Sequence, residues 1–114
     1  MARVEIVKSF GFEAAHRKGA EIYGYSYRVE IALMGEIASN GAVAPFEEIE
    51  RAFAPVQSAL DHSLLNEALG HARPTLENIA LWISDRLRMD LPTLSRVSVS
   101  RESEGEACHL TFEA

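Results

Sequence analysis

The sequence predicts an α+β domain in which two amphipathic helices lie on one face of an antiparallel sheet, in the order ββααββ. Three observations carry that expectation. Apolar residues alternate in the first third of the chain, recur at three and four residues in the middle, and alternate again towards the end. With 114 residues, 47% hydrophobic and 25% charged, the chain is expected to form a single domain over 1–114 that buries roughly 65% of its unfolded surface.

The first strand is read over Arg3 to Phe12, where Val4, Ile6, Phe10 and Phe12 share one parity and Lys8 interrupts the series. The second is read over Tyr25 to Leu33. Its odd positions are Tyr25, Tyr27, Val29, Ile31 and Leu33, and its even ones include Ser26, Arg28 and Glu30. Between the two, Ala14 to Ile22 is polar and poorly periodic, which predicts a loop joining antiparallel strands. After Ser39-Asn40-Gly41 the period changes, and Phe46, Ile49, Phe53, Val56 and Leu60 mark an amphipathic helix. Pro45 suits its first turn, and Glu47 and Glu48 complement the helix dipole. Pro55 inside the pattern predicts either a bend near Ala54 or two short abutting helices. A second helix opens at Pro74-Thr75-Leu76-Glu77-Asn78, with Thr75 or Arg73 near its cap and Leu76, Ile79, Ile83 and Leu87 on one stripe. Val97 and Val99, the polar turn Ser103-Glu104-Gly105-Glu106, and then Cys108, Leu110 and Phe112 predict a closing hairpin.

Charge narrows the function classes. Eleven Lys and Arg against seventeen Asp and Glu give a net charge of −6, the wrong sign for a protein that grips phosphate backbones, so nucleic acid is not an expected partner. No apolar run approaches the ~20 residues needed to span a bilayer, so no membrane association is expected. The one cysteine, Cys108, has no internal partner, and Met1-Ala2-Arg3-Val4-Glu5 lacks the apolar stretch of a secretory leader. A cytoplasmic protein is the expectation.

Four places carry side chains capable of chemistry. His16 follows Phe12-Glu13-Ala14-Ala15 at the end of the first strand, where an imidazole serves either as a hydrogen-bonded structural group or as a metal ligand. Asp61-His62 follows the first helix, and a carboxylate beside an imidazole orients a general acid or base. Thr75 and Glu77 read first as a cap and a dipole-complementing residue. The cluster Tyr23-Gly24-Tyr25-Ser26-Tyr27 reads, from periodicity alone, as strand packing.

In sequence order these pieces resemble a known family. Phe12-x-Ala14-Ala15-His16, Gly24-x-Ser26-Tyr27, Gly41-x-Val43-x-x-Phe46, Leu60-Asp61-His62-x-x-Leu65-Asn66, Pro74-Thr75-x-Glu77-Asn78-x-Ala80-x-Trp82 and Val97-x-Val99 are similar to blocks of the 6-pyruvoyl-tetrahydropterin synthase and 6-carboxytetrahydropterin synthase family. The resemblance spans nearly the whole chain. It implies the tunnelling fold: a four-stranded antiparallel sheet with two helices on one face, its subunits closing into a β-barrel as a trimer that stacks into a hexamer. It also implies a proton-moving role for Asp61 and His62, a pterin-lining role for Thr75 and Glu77, and a zinc ion on three histidines.

The chain departs from that pattern at the metal. The first zinc position is His16, but the other two are Tyr23 and Tyr25, which offer high-pKa phenols where the family has neutral imidazoles, so zinc is expected to be absent or weakly held. His62, His71 and His109 lack the i, i+2 spacing that would rebuild the set on one strand face. The family's cysteine position falls on Gly19. Its pterin-anchoring glutamate falls on Arg101, with Glu102 one residue later and reachable by a one-residue bulge. A guanidinium there is donor-only, so the pocket is expected to prefer an acceptor-rich or anionic ligand. These replacements predict a divergent, oligomeric member that binds a pterin-like heterocycle at subunit interfaces, with the family's lyase chemistry lost or altered. Two alternatives stand beside it: an active carbon-oxygen lyase with a rebuilt metal site on His16, and a structural or regulatory oligomer without catalysis.

Overall fold

Two 15-residue strands, β1 (Val4–Lys18) and β2 (Glu21–Gly35), set the dimensions of the molecule. At ~3.4 Å per residue each runs for about 50 Å, which accounts for most of the 55 Å long axis. The structure is a computed structural model and describes residues 2–70 and 72–112. His71, named above as a possible replacement ligand, lies outside the described residues.

The two strands pair antiparallel without interruption from Val4 opposite Gly35 to Lys18 opposite Glu21. The loop expected over Ala14 to Ile22 is therefore strand, and the connection is a tight turn at Gly19-Ala20. Gly19, at φ 63, supplies the left-handed backbone that a two-residue hairpin turn requires. Periodicity fades at this end because both faces become polar or exposed, while the cross-strand hydrogen bonds continue.

The sheet order is β3-β1-β2-β4-β5. Strand β4 (Leu94–Arg101) pairs antiparallel with β2, and β5 (Glu106–Thr111) with β4, through a 3₁₀ turn over Glu102–Glu104 and a left-handed Gly105. The sheet has five strands where four were expected. The addition, β3 (Ser63–Leu64), is two residues long and lies parallel to β1 beside Ala14 and Ala15.

The helices are α1 (Phe46–Leu60), the short α2 (Leu65–Ala68) and α3 (Leu76–Leu87). Helix α1 continues through Pro55, which sits on its exposed face; water can there reach the carbonyl that the proline ring leaves without a donor. Thr75, not Arg73, caps α3: its Oγ1 accepts the Asn78 N–H at 3.1 Å. The core lies between the helices and one face of the sheet, where Val29, Ile31, Ile49, Phe53, Ile79, Ile83 and Val97 are all buried completely. Lys8 shares the core-side parity of β1 because its stem lies along the sheet and its ammonium meets Glu50 of α1 at 3.0 Å. Among the described residues no helix is long and apolar enough to cross a membrane.

Candidate functional site

The helices cover only part of the long hairpin. Towards its turn, Arg17, Lys18 and Ile22 are exposed, and a cavity of about 560 Å³ opens between the end of β1, the start of α3 and the end of β4. His16, Arg17, Lys18, Arg73, Thr75, Glu77, Arg101 and Glu106 face it. Register and capping bring these distant residues together. His16 and Arg17 arrive on β1, Thr75 and Glu77 as the cap and first turn of α3, and Arg101 and Glu106 as a cross-strand pair closing the last hairpin.

A second hollow of about 260 Å³ adjoins the first and shares His16, Lys18, Arg101 and Glu106 with it; Tyr23, Tyr25 and Glu104 complete its wall. His16 lies directly opposite Tyr23 and two pairs along the ladder from Tyr25, so all three side chains leave the same face. Their rings gather around His16, which lies tilted to Tyr23 with centroids 5.7 Å apart and stacked on Tyr25 at 5.8 Å. The guanidinium of Arg101 lies over the Tyr25 ring at 5.2 Å and the Tyr27 ring at 5.9 Å, and its Nη2 donates to Glu106 Oε1 at 2.9 Å.

As a donor set these residues offer one imidazole and two phenols, where zinc favours imidazole and thiolate. The Tyr23 hydroxyl donates to the Glu21 carboxylate, and that bond holds its proton on by pushing the phenol above its ordinary range. Burial, and then the charges of Arg101 and Lys18, push His16 below the usual histidine range. A fixed guanidinium beside the imidazole opposes a dication electrostatically. Among the described residues no three His, Cys, Asp or Glu side chains are grouped to hold a metal. Cys108 does not replace the missing thiol: it is half-buried on β5, and burial, helped by the charge of Glu77, raises its thiol above the usual range.

Of Arg101 and Glu102, only the first lines the cavity. Strand β4 stays in register with β5 up to Arg101, no bulge intervenes, and Arg101 faces the cavity. Glu102 sits on the following turn and approaches Arg28 at 3.6 Å, outside the cavity lining.

Asp61 and His62 stand elsewhere. His62 borders a separate hollow with Glu13, Ala14, Ala15, Gly24, Tyr25 and Ser63, so Tyr25 is the wall between this pair and the His16 side. The Asp61 Oδ2 lies 3.0 Å from His62 Nδ1, and the His62 side chain is 79% exposed. Asp61 Oδ1 also accepts the Glu13 N–H at 2.8 Å, and that bond first, with His62 second, holds its carboxyl below the usual carboxylate range. His62 has φ 58, a left-handed value uncommon for a non-glycine residue, and its own N–H donates to the Glu13 carbonyl. Four residues on, Asn66 accepts the Arg17 N–H at 2.7 Å and donates to the Arg17 carbonyl at 3.1 Å. The Leu-Asp-His-x-x-Leu-Asn block thus ties the free edge of β1 at two points. Sequence reasoning missed that role, because a side chain closing a main-chain pair leaves no periodic signal.

Comparison with known proteins places this geometry. The chain matches the sequence profile of the 6-pyruvoyl tetrahydropterin synthase family over residues 5–113. It is 35% identical over 109 residues to dihydroneopterin monophosphate aldolase of Pyrococcus furiosus, covering 90% of this chain and 93% of that protein. It is 34% identical over 107 residues to 6-carboxy-5,6,7,8-tetrahydropterin synthase of Synechocystis, covering 82% and 83%. In fold it is similar to the 6-pyruvoyl tetrahydropterin synthase of Caenorhabditis elegans, with a TM-score of 0.87 at 19% identity over 99% of this chain and 98% of the other. Profile, relatives and fold agree, and the chain belongs to the 6-pyruvoyl tetrahydropterin synthase family.

Proposed function

We propose that this protein binds a pterin-like heterocycle with an anionic side chain in the 560 Å³ cavity and acts on it by proton transfer without zinc. The observation that carries the reading is the polarity of the cavity. The Thr75 hydroxyl and the Glu77 carboxylate line it together with the basic side chains of Arg17, Lys18, Arg73 and Arg101, the last of these paired with Glu106. A carboxylate accepts from the amino and ring N–H edge of a pterin, and the basic side chains take the charged substituent. Glu77 thereby inherits the anchoring task that Arg101 cannot perform.

Asp61 and His62 form the proton-moving pair, oriented by their 3.0 Å contact. Their outward placement suits a trimer or hexamer in which the pair faces the cavity of a neighbouring copy. An altered reaction, as opposed to a lost one, is favoured by the likeness to a protein named as an aldolase. Cleaving a carbon-carbon bond beside a hydroxyl needs a base for the hydroxyl and an electron-accepting ring, and neither requirement calls for a metal.

The test is anaerobic incubation of the purified protein in EDTA with 7,8-dihydroneopterin monophosphate, followed by chromatography and a parallel thermal melt. The expected result is a raised Tm and a shortened pterin released with an aldehyde phosphate. Binding without turnover would overturn the catalytic half of the proposal. No Tm response to any pterin, phosphorylated or not, would overturn all of it.

A further inference from the structure

Two features of the cavity go beyond the recognition of a heterocycle. The first is charge. Four of the chain's eleven Lys and Arg side chains line it, against two of the seventeen carboxylates, although the protein as a whole carries −6. The second is a set of unmet hydrogen bonds. Among the described residues, the buried side-chain polar atoms without a partner are His16 Nδ1, Tyr27 Oη and Arg101 Nε. All three belong to one patch, since Arg101 lies over the Tyr25 and Tyr27 rings and His16 stacks on Tyr25. Buried polar atoms are rarely left unpaired, and a cluster of them marks a place where something from outside completes the set. Arg101 Nε is donor-only and Tyr27 Oη can donate or accept, so an outside acceptor can serve both.

We propose that Arg101 forms a metal-independent phosphate site whose guanidinium fork is held by Glu106 in the free protein, and that a phosphate monoester enters by displacing this carboxylate. The inference deepens the function proposed above and rests on the same cavity being the ligand site. Glu106 lies directly opposite Arg101 in the β4-β5 register, so the closing hairpin itself supplies the internal competitor. The two partners differ in freedom. The Arg101 side chain is 17% exposed and packed over two aromatic rings, whereas that of Glu106 is 52% exposed at the rim. The fork is therefore fixed and the carboxylate is the part that moves. Glu106 Oε1 on Nη2 occupies a place that one phosphate oxygen would take, and leaves Nε for a second. Arg17, Lys18 and Arg73 supply the further positive charge that a dianion needs and a carboxylate monoanion does not. In a family whose fold implies zinc at His16, Tyr23 and Tyr25, the fixed positive charge here belongs to the protein.

The experiment uses the full chain in EDTA with inorganic phosphate as the probe, by calorimetry and thermal melt, and sodium chloride at matched ionic strength as the control. Phosphate is expected to raise the Tm of the wild type and to fail with Arg101→Gln. With Glu106→Gln it should bind about two- to fivefold more tightly, the range set by the modest strength of an exposed ion pair. Retained phosphate binding in Arg101→Gln, or unchanged or weaker binding in Glu106→Gln, overturns the proposal. So does a stoichiometric zinc ion taken up by chelator-free protein. Should Arg101→Gln fail to fold by circular dichroism, Glu106→Gln at the exposed rim decides the matter alone. Unsubstituted pterin, titrated separately into the wild type, keeps the two readings apart: phosphate without pterin binding refutes the heterocycle reading only, and pterin without phosphate binding refutes this one only.

Discussion

The two ends of the β1-β2 hairpin are built from the same strands and meet opposite fates. At the end where the helices lie across the sheet, Val29, Ile31 and Leu33 are at most 1% exposed and Phe10 stacks on Phe53 with ring centroids 4.2 Å apart. At the turn end, Ile22 is 60% and Tyr23 37% exposed, and buried polar atoms go without partners. The sheet is continuous between them. What changes is the cover, since α3 begins only where the cavity opens and no residue of α1 reaches it. The difference shows where the chain spends its apolar residues: the covered end supplies stability, and the open end is left free to bind.

The sharpest test of that division removes one large ring from each end. Phe53 is completely buried, so Phe53→Ala should cost about 3–5 kcal/mol and lower the Tm by more than roughly 10 °C. Tyr23→Ala, at an exposed position whose hydroxyl bonds only to neighbouring Glu21, should move the Tm by no more than about 2 °C. Paired thermal melts measure both. Equal losses would break the comparison, because the open end would then be as much a part of the core as the covered one.

The same division explains what the sequence made legible. The alternation from Tyr25 to Leu33 and the stripes of α1 and α3 were readable because each element has one wet and one dry face, and burial writes its period into the residues. The stretch from Ala14 to Ile22 was misread as loop because, at the uncovered end, main-chain pairing continues while side-chain burial no longer varies with parity. Strand β3 is too short for any period to register. The positions of the candidate site were legible from the family resemblance, but their grouping was not. That Arg101 and not Glu102 faces the cavity, that Glu106 answers it, and that Tyr25 separates His16 from Asp61 and His62 all follow from hairpin register. Register is set by turns and bulges, which composition barely constrains.

A smaller effect is expected where the open end is tied down. Asn66 closes both the N–H and the carbonyl of Arg17 with its side-chain amide. Asn66→Ala should cost about 1–2 kcal/mol, since water can partly replace bonds at this exposed main chain. The change should be local: amide exchange around Arg17 and Lys18 accelerates while amides of Ile31 and Val97 keep their protection, and uniform acceleration would mean that the hairpin does not open independently.

The smallest effect is a titration, and its sign follows from His16. Burial, then the Arg101 and Lys18 charges, lower its pKa in the folded protein. An unfolded chain would titrate this histidine at about 6.5. Between the lowered folded value and that point the unfolded state binds more protons, so stability is complete above roughly pH 6.5 and declines as pH falls through this window. His16→Gln removes the titrating group, and its stability relative to wild type should improve as the pH is lowered from 7.5 towards 5. Chemical denaturation at closely spaced pH values gives the comparison. The direction reports the surroundings of this residue: a histidine facing a carboxylate would gain or keep its proton on folding, whereas one buried beside a built-in guanidinium gives it up. If the wild type instead gains stability over His16→Gln on acidification, burial and the Arg101 and Lys18 charges do not govern this imidazole, and the reading of the open end as a basic, partly dry pocket loses its electrostatic support.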